Sequence, residues 1–349
     1  MSSPVKLLSI GTAVPPYRID QRDAAAAHQG FASRFPDFEQ LARVFESSGI
    51  KSRYAVRPLD WYLTPLGWPE RTAAFVDGAS ELFVDAAETA LRAADVRARD
   101  VDVVVTVSST GITTPSLEAK VAGRMGFRPD VERVPVFGLG CAGGVTGLSI
   151  GSRFAQARPG CVVLVVAVEA CTLAFRLDEL TKSNIVATAL FGDGAGACVL
   201  RAGTGGIASV EMSGQYTWPD TLDIMGWRID PTGLGVIFAR SIPPFAQANL
   251  RPAMDSMLAA QGLDVDDVDR FICHPGGVKV IEALEHSLSI GQGQLDHERT
   301  VLADHGNMSA PTVLFVLDRA RHAGLPATSV VSALGPGFTA STVTLKRAA

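Results

Sequence analysis

The chain has 349 residues, of which 47% are apolar and 19% charged, so it is long enough for two similar halves around a sizeable core and not disordered in composition. Its formal charge is −5, with no dense basic stripe, which excludes an ordinary nucleic-acid binder. The longest apolar stretch, Cys161 to Val168, falls far short of the ~20 residues that span a bilayer, and the N-terminal MSSPVKLLSIG lacks the apolar core of a secretory signal. The expectation is a cytoplasmic protein without a transmembrane segment.

In chain order, the first strong periodic element is an amphipathic helix expected over Glu81 to Ala94, with Ser80 as N-cap and Phe83, Ala87 and Leu91 on one face. The run VDVVVTV then has no polar alternation, as a strand buried on both faces should read. Next comes VPVFGL, followed by Cys141 and the small-residue segment AGGVTGLSIGSRFAQA. This order puts the thiol at a strand–helix junction. A helix dipole there contributes at most ~2 kcal/mol, so a free thiol of pKa about 8.5 needs a cationic neighbour to become a populated nucleophile. A cysteine in a Gly-rich packing turn is equally open at this point.

Two other motifs overlap this segment. Gly138, Gly140 and Gly143 spell GxGxxG, but no acidic residue lies about 20 positions on, where a dinucleotide site needs one; Glu169 is 26 beyond Gly143. Gly147, Ser149 and Gly151 spell the GxSxG of serine hydrolases, but the strand that should precede it precedes Cys141 instead. The five cysteines, at 141, 161, 171, 198 and 273, form no CxxC pair and no zinc spacing, so neither a disulfide framework nor a metal is expected.

A buried strand VVLVVAVEA follows from Val162. In the second part, DVDRFICHPGG repeats the rhythm of DVDVVVTVSST, with His274 at the place of Val107. LADHGNMSAPTVLFVL matches the Cys141 segment, with Asn307 in the slot of Cys141; 34 residues separate the first pair of positions and 33 the second. TSVVSALGP pairs with VVLVVAVEA. His274 and Asn307 each have a plain reading, as a turn histidine and a turn or N-cap asparagine. Their matching positions point instead to two βαβ halves, 1–205 carrying the cysteine and 206–349 the histidine and asparagine, packed so that the strand ends converge.

GCAGG, FGDGAGA, HPGG, GNMSA and LGPGFT, in this order and spacing, resemble the type III polyketide synthases, the chalcone synthase-like group, over nearly the whole chain. The resemblance implies an α/β, thiolase-like duplicated αβαβα layered fold, usually a homodimer. It implies an acyltransferase that needs no metal or redox cofactor and takes CoA thioesters as substrates. Cys141 would carry the growing chain, His274 would keep it as thiolate, and His274 with Asn307 would hold the malonyl carbonyl as carbon dioxide leaves. Phe191 matches the gatekeeper between CoA tunnel and cavity. Ser109, Thr110, Cys171, Ala174, Ala187, Trp227 and Ser309 match cavity-lining positions, and Val236 stands where plant-type enzymes carry a second gatekeeper phenylalanine. The spellings STGITTPS, GLGCAGG, SNIVATALFGDG and MGWRIDPTGLG are similar to bacterial alkylresorcinol and alkylpyrone synthases, which accept fatty acyl-CoA starters; the tetrahydroxynaphthalene-forming subgroup usually has a cysteine at the Ser109 place.

Relatives with the same fold differ: thiolases place a second cysteine where this chain has Asn307, and hydroxymethylglutaryl-CoA synthases use a glutamate. A ketoacyl synthase III-like enzyme remains an alternative. It would dock an acyl carrier protein on a basic patch, for which Lys51, Arg53 and Arg57 are candidates, although a CoA tail would use Lys51 and Arg53 as well. A type III synthase with a short or malonyl starter, a non-catalytic member of the fold and a hydrolase built on Ser149 complete the set.

Overall fold

The computed structural model describes the backbone of residues 3–29, 38–179 and 181–347. The first part of the chain runs β1 (Val5–Ala13), β2 (Tyr17–Asp20), α1 (Gln21–Gln29), α2 (Phe38–Ser47), β3 (Ser52–Ala55), α3 (Leu59–Tyr62), α4 (Trp68–Ala93), β4 (Val103–Val107), α5 (Leu117–Met125), β5 (Glu132–Val136), α6 (Gly143–Ala157), β6 (Val162–Ala170), α7 (Lys182–Leu190) and β7 (Asp193–Ala202). The second runs β8 (Ala208–Thr217), β9 (Met225–Asp230), β10 (Gly233–Phe238), α8 (Ile242–Ala259), β11 (Arg270–Cys273), α9 (Val278–Leu288), α10 (Asp296–His305), α11 (Thr312–Ala323), β12 (Thr328–Gly335) and β13 (Thr339–Arg347).

Nine strands lie in the order β11-β12-β13-β8-β1-β7-β6-β4-β5. Read outward from the β8–β1 seam, β13, β12 and β11 mirror β7, β6 and β4 in both sequence order and sense of pairing. The seam itself is three residue pairs, Val5 with Val210, Lys6 with Ser209 and Leu7 with Ala208. Only β5 has no counterpart: helices α9 and α10, not a strand, separate His274 from Asn307.

The unalternating strands are buried on both faces, as their sequence requires. On β6, Leu164, Val166 and Val168 face a cluster with α4, while Val163, Val165 and Ala167 face a second cluster with α6 and α11. That second cluster also takes Val331, Val343 and Leu345 from the other half, and α8 and α9 cover the outer face of β12 and β13. The layers are therefore helix, sheet, helix pair, sheet, helix: the thiolase-like αβαβα arrangement.

One boundary differs from expectation. The helix placed at Glu81 begins at Trp68, and Ser80 lies in its middle. Its start is Gly67, whose N–H donates to the Glu70 carboxylate at 2.9 Å, with Pro69 in the first turn. No helix among the described residues is long and apolar enough to cross a membrane.

Candidate active site

The GxSxG motif after Cys141 is a packing device. Gly147 and Gly151 lie on α6 facing the sheet, where an added Cβ would stand 3.0 Å from Val107 and 2.6 Å from Val165 respectively. Ser149 is inside the helix, its hydroxyl on Ser213 at 2.7 Å. The helix sits so close to the β-branched strand faces because these positions carry no side chain.

Cys141 itself occupies a 3-10 turn, Gly140–Ala142, which feeds directly into α6. Gly140 has φ +46°, a left-handed conformation suited to glycine. The turn is held from below by Ser109 just beyond β4, whose hydroxyl accepts the N–H groups of Gly138 (3.1 Å) and Gly140 (3.2 Å). It is pressed from the other half by the ALGPG loop: a Cβ on Gly335 would lie 2.6 Å from both Ala142 and the Leu139 carbonyl, and one on Gly140 would lie 2.6 Å from Pro336.

His274 follows β11, its N–H bound to the Ser332 carbonyl at 2.8 Å. Asn307 is stitched to the segment around Phe191: Gly192 donates to its carbonyl (3.0 Å), its own N–H donates to Leu190 (2.8 Å), and Phe191 forms a parallel bridge with it. Its side-chain NH₂ donates to Gly276 of the HPGG turn at 3.3 Å, and its side-chain oxygen accepts the Ser309 N–H at 2.8 Å. Ser309 and Asn307 stand beside the Cys141 thiol, where their polar side chains favour its ionised form. Cys141 and Asn307, singled out in two halves of the chain, thus come together, and Asn307 is tied to the turn that follows His274; of the five cysteines Cys141 is the one that is not fully buried.

Burial dominates the electrostatics. It pushes the Cys141 thiol up to about 11, against the pull of the Ser309 and Asn307 side chains, and holds the His274 imidazole down at about 3. Both ring nitrogens of His274 are buried and without a hydrogen-bond partner among the described residues. Desolvation therefore keeps the imidazole neutral in the unloaded site.

A small apolar cavity of about 50 Å³ lies beside Phe191; Cys141, His274 and Asn307 are not among the residues that line it. Cys171, Ala174 and Ala187 border it on the inner side, and Ile19, Ala24, Ala27, Leu59 and Leu63 carry it outward. Trp227 stacks edge-on against Phe191 at 6.0 Å, and Val236 packs on Ala174 and Ala187. Ser109 does not line this cavity, because it supports the Cys141 turn. Thr110 faces a separate crevice with Trp68, Arg71 and Leu234.

The basic patch needs correction. Arg53 is 3% exposed and spends its guanidinium on the carbonyls of Thr188, Ala189 and Phe191, so it is not presented to a CoA tail or a carrier protein. Arg57 pairs with Asp77 at 2.9 Å. Lys51 is exposed, tied to α10 only by its backbone N–H on Ala303 at 2.7 Å.

Glu169 is a site residue that the sequence reading misses. Fully buried at the end of β6, it accepts the Ser109 N–H (2.9 Å) and the Thr110 hydroxyl (2.6 Å), and burial raises its carboxyl to about 7. The available signal is an acid within the otherwise apolar VVLVVAVEA. Asp193 of FGDG is similar, raised to about 7 by burial while accepting Val56 N–H and the Thr172 N–H and hydroxyl.

Comparison with known proteins agrees with this geometry. Residues 2–204 match the N-terminal domain of chalcone and stilbene synthases and residues 209–349 the C-terminal domain. The chain is 37% identical to 1,3,6,8-tetrahydroxynaphthalene synthase of Streptomyces peucetius subsp. caesius over 97% of this chain and 92% of that protein. It is 30% identical to the alpha-pyrone synthesis polyketide synthase-like Pks18 of Mycobacterium tuberculosis, over 95% and 88%. The crystal structure of 1,3,6,8-tetrahydroxynaphthalene synthase from Streptomyces coelicolor A3(2), described as a bacterial type III polyketide synthase, superposes with a TM-score of 0.94 at 27% identity, covering 99% of each chain.

Proposed function

Because the chain belongs to the chalcone and stilbene synthase family, the type III polyketide synthases, and is thereby an acyltransferase, we propose that it extends a fatty acyl-CoA starter with malonyl-CoA to give alkylpyrones or alkylresorcinols. The observation that carries the starter assignment is the apolar cavity beside Phe191, with small residues, Ala174 and Ala187, at its inner wall. An aliphatic tail gains about 0.8 kcal/mol per methylene on entering such a space.

Loading begins when the Cys141 sulfur attacks the starter thioester carbonyl. The neutral His274 imidazole takes the thiol proton as the new carbon–sulfur bond forms and passes it to the CoA sulfur as the old one breaks, so CoA leaves as its thiol and the imidazole is again neutral. Malonyl-CoA then binds with its thioester oxygen towards His274 and the Asn307 amide. Loss of carbon dioxide places enolate charge on that oxygen, where one preorganised donor contributes ~2.7–4 kcal/mol. The enolate carbon attacks the acyl group on Cys141, which returns as the leaving thiolate. Cys141, His274 and Asn307 thus need no metal or redox cofactor for these steps. Lys51 remains the cation for the CoA tail, the two halves, 1–205 and 206–349, supply the nucleophile and the oxyanion site respectively, and a homodimer in the cytoplasm is the expected setting.

The test is incubation with malonyl-CoA and acyl-CoA starters from acetyl to palmitoyl, read by mass spectrometry beside Cys141→Ala. Alkylpyrones or alkylresorcinols from the longer starters, absent in the variant, support the proposal; products confined to acyl carrier protein substrates would transfer the chain to the ketoacyl synthase III-like reading. The 37% identity to a tetrahydroxynaphthalene synthase favours a second reading, a malonyl starter, which predicts product from malonyl-CoA alone.

A further inference from the structure

Three residues that line the cavity, Ala174, Ala187 and Phe191, are backed by an element outside the nine-stranded sheet. It is the separate hairpin β9–β10, in which Trp227 pairs directly with Val236. Strand geometry sends these two side chains to one face, where they meet Phe191, Ala174 and Ala187, and sends Arg228 and Asp230 to the other. On that second face Gly233 and Gly235 leave room for arginines to lie on the ribbon: a Cβ on Gly233 would stand 3.2 Å from Arg71, and one on Gly235 would stand 2.8 Å from Arg228.

The ribbon is fastened there by charge. Arg176, only 5% exposed, reaches Asp230 at 2.8 Å, Asp178 at 2.6 Å and Glu179 at 3.4 Å. Arg228 joins Glu179 and Asp230, each at 2.7 Å, and Trp68 donates to the Asp230 carbonyl at 2.9 Å. Arg176 is two residues from Ala174, so one guanidinium ties the cavity lining to the hairpin packed behind it. Apolar contacts between Ala174 and Val236 allow sliding, whereas a hydrogen-bonded ion pair has one geometry; its worth lies in that geometry more than in net stability.

We propose that the Arg176–Asp230 ion pair is the clasp that sets the depth of the acyl cavity, making Arg176 a positioning residue for product length. This rests on the acyl-cavity reading above. Without the clasp the ribbon relaxes outward and the cavity accommodates more chain before release.

The test compares Arg176→Met and Asp230→Asn with the wild type. Product lengths from lauroyl-CoA and butyryl-CoA are measured by mass spectrometry, together with the rate of Cys141 labelling by iodoacetamide. We expect the ratio of longer to shorter products to rise about fivefold in both variants while labelling stays within about twofold, and Arg176→Lys to recover most of the wild-type ratio, since an ammonium still pairs with Asp230. A ratio within about twofold of wild type, in variants that fold and label normally, overturns the proposal. If the buried variants do not fold, Arg228→Gln on the exposed side of the network replaces them, and an unchanged ratio there overturns it equally. Should the wild type make no product from any CoA starter, the acyl-synthase reading fails on its own. The clasp is then judged by Trp227 emission, taken as the difference from Trp227→Phe: a red shift in Arg176→Met supports it, and an unchanged spectrum refutes it.

Discussion

Filling the cavity at Ala174 is the most direct challenge to a long aliphatic starter. Ala174 is buried between Val236, Ala187 and Phe191 and borders the cavity, so Ala174→Leu projects three additional carbons into space the tail would use. Each displaced methylene forfeits about 0.8 kcal/mol, giving a loss of about 2.4 kcal/mol, or about 60-fold in kcat/KM, for a starter long enough to reach that point. A butyryl starter, which ends nearer the sulfur, keeps its rate. The assay is competition between lauroyl-CoA and butyryl-CoA at limiting concentrations, with products separated by mass and fold checked by circular dichroism. The reasoning is refuted if the lauroyl-to-butyryl preference is unchanged, or if both starters lose activity equally, which would place Ala174 against the reacting carbon and not along the tail.

Cys141→Ala should abolish condensation and also remove the single site that iodoacetamide labels in the native protein, since Cys161, Cys171, Cys198 and Cys273 are buried; labelling that persists would assign the accessible thiol elsewhere. Asn307→Ala should slow carbon dioxide release from malonyl-CoA by about 10²–10³, with the melting temperature measured alongside because Asn307 also braces Gly276 and Ser309. A rate near wild type would remove Asn307 from the oxyanion site. Because burial lowers the His274 pKa to about 3, the imidazole keeps its proton-accepting form until the pH falls through that lowered value; the acid limb of kcat/KM should therefore lie below the ordinary histidine value of about 6.5. A limb at or above 7 that vanishes in His274→Gln would contradict this. Gly144→Ala drives a methyl group into the Ala310 carbonyl of the other half and should cost about 1–3 kcal/mol, read as a lower denaturant midpoint; an unchanged midpoint would mean the helices part easily.

What is legible in the sequence is whatever depends on local pattern. Strands β4, β6 and β12 are visible because residues buried on both faces leave no alternation, and the repeat of strand-end positions pairs Cys141 with Asn307 without any coordinates. What stays hidden depends on partners distant in the chain. Arg53 reads as part of a surface patch with Lys51 and Arg57, yet the carbonyls that cap it belong to residues 188–191. Glu169 stands out only against a dinucleotide spacing it fails, whereas its role is set by Ser109 and Thr110, 60 and 59 residues earlier. The start of α4 is misplaced by thirteen residues when the apolar period is followed backward only to Phe83; Pro69 and Glu70 are the terminus signal. Arg176 offers no pattern at all, since the acid it clasps lies 54 positions away.

The contact between Gly144 and Ala310 has a wider meaning. Helix α6 starts just after Cys141 and α11 starts just after Asn307 and Ser309, and the first turn of α6 presses its glycines onto Ala310, at the entry to α11, and onto Val313. The halves are keyed together at the spot where they contribute chemistry. Opening them like jaws would draw Ser309 and Asn307 away from the thiol along with the interface. Entry and exit of substrate must therefore be managed at the periphery, by small local displacements around a centre that does not breathe, and redesign of substrate scope can proceed there without retuning the reacting atoms.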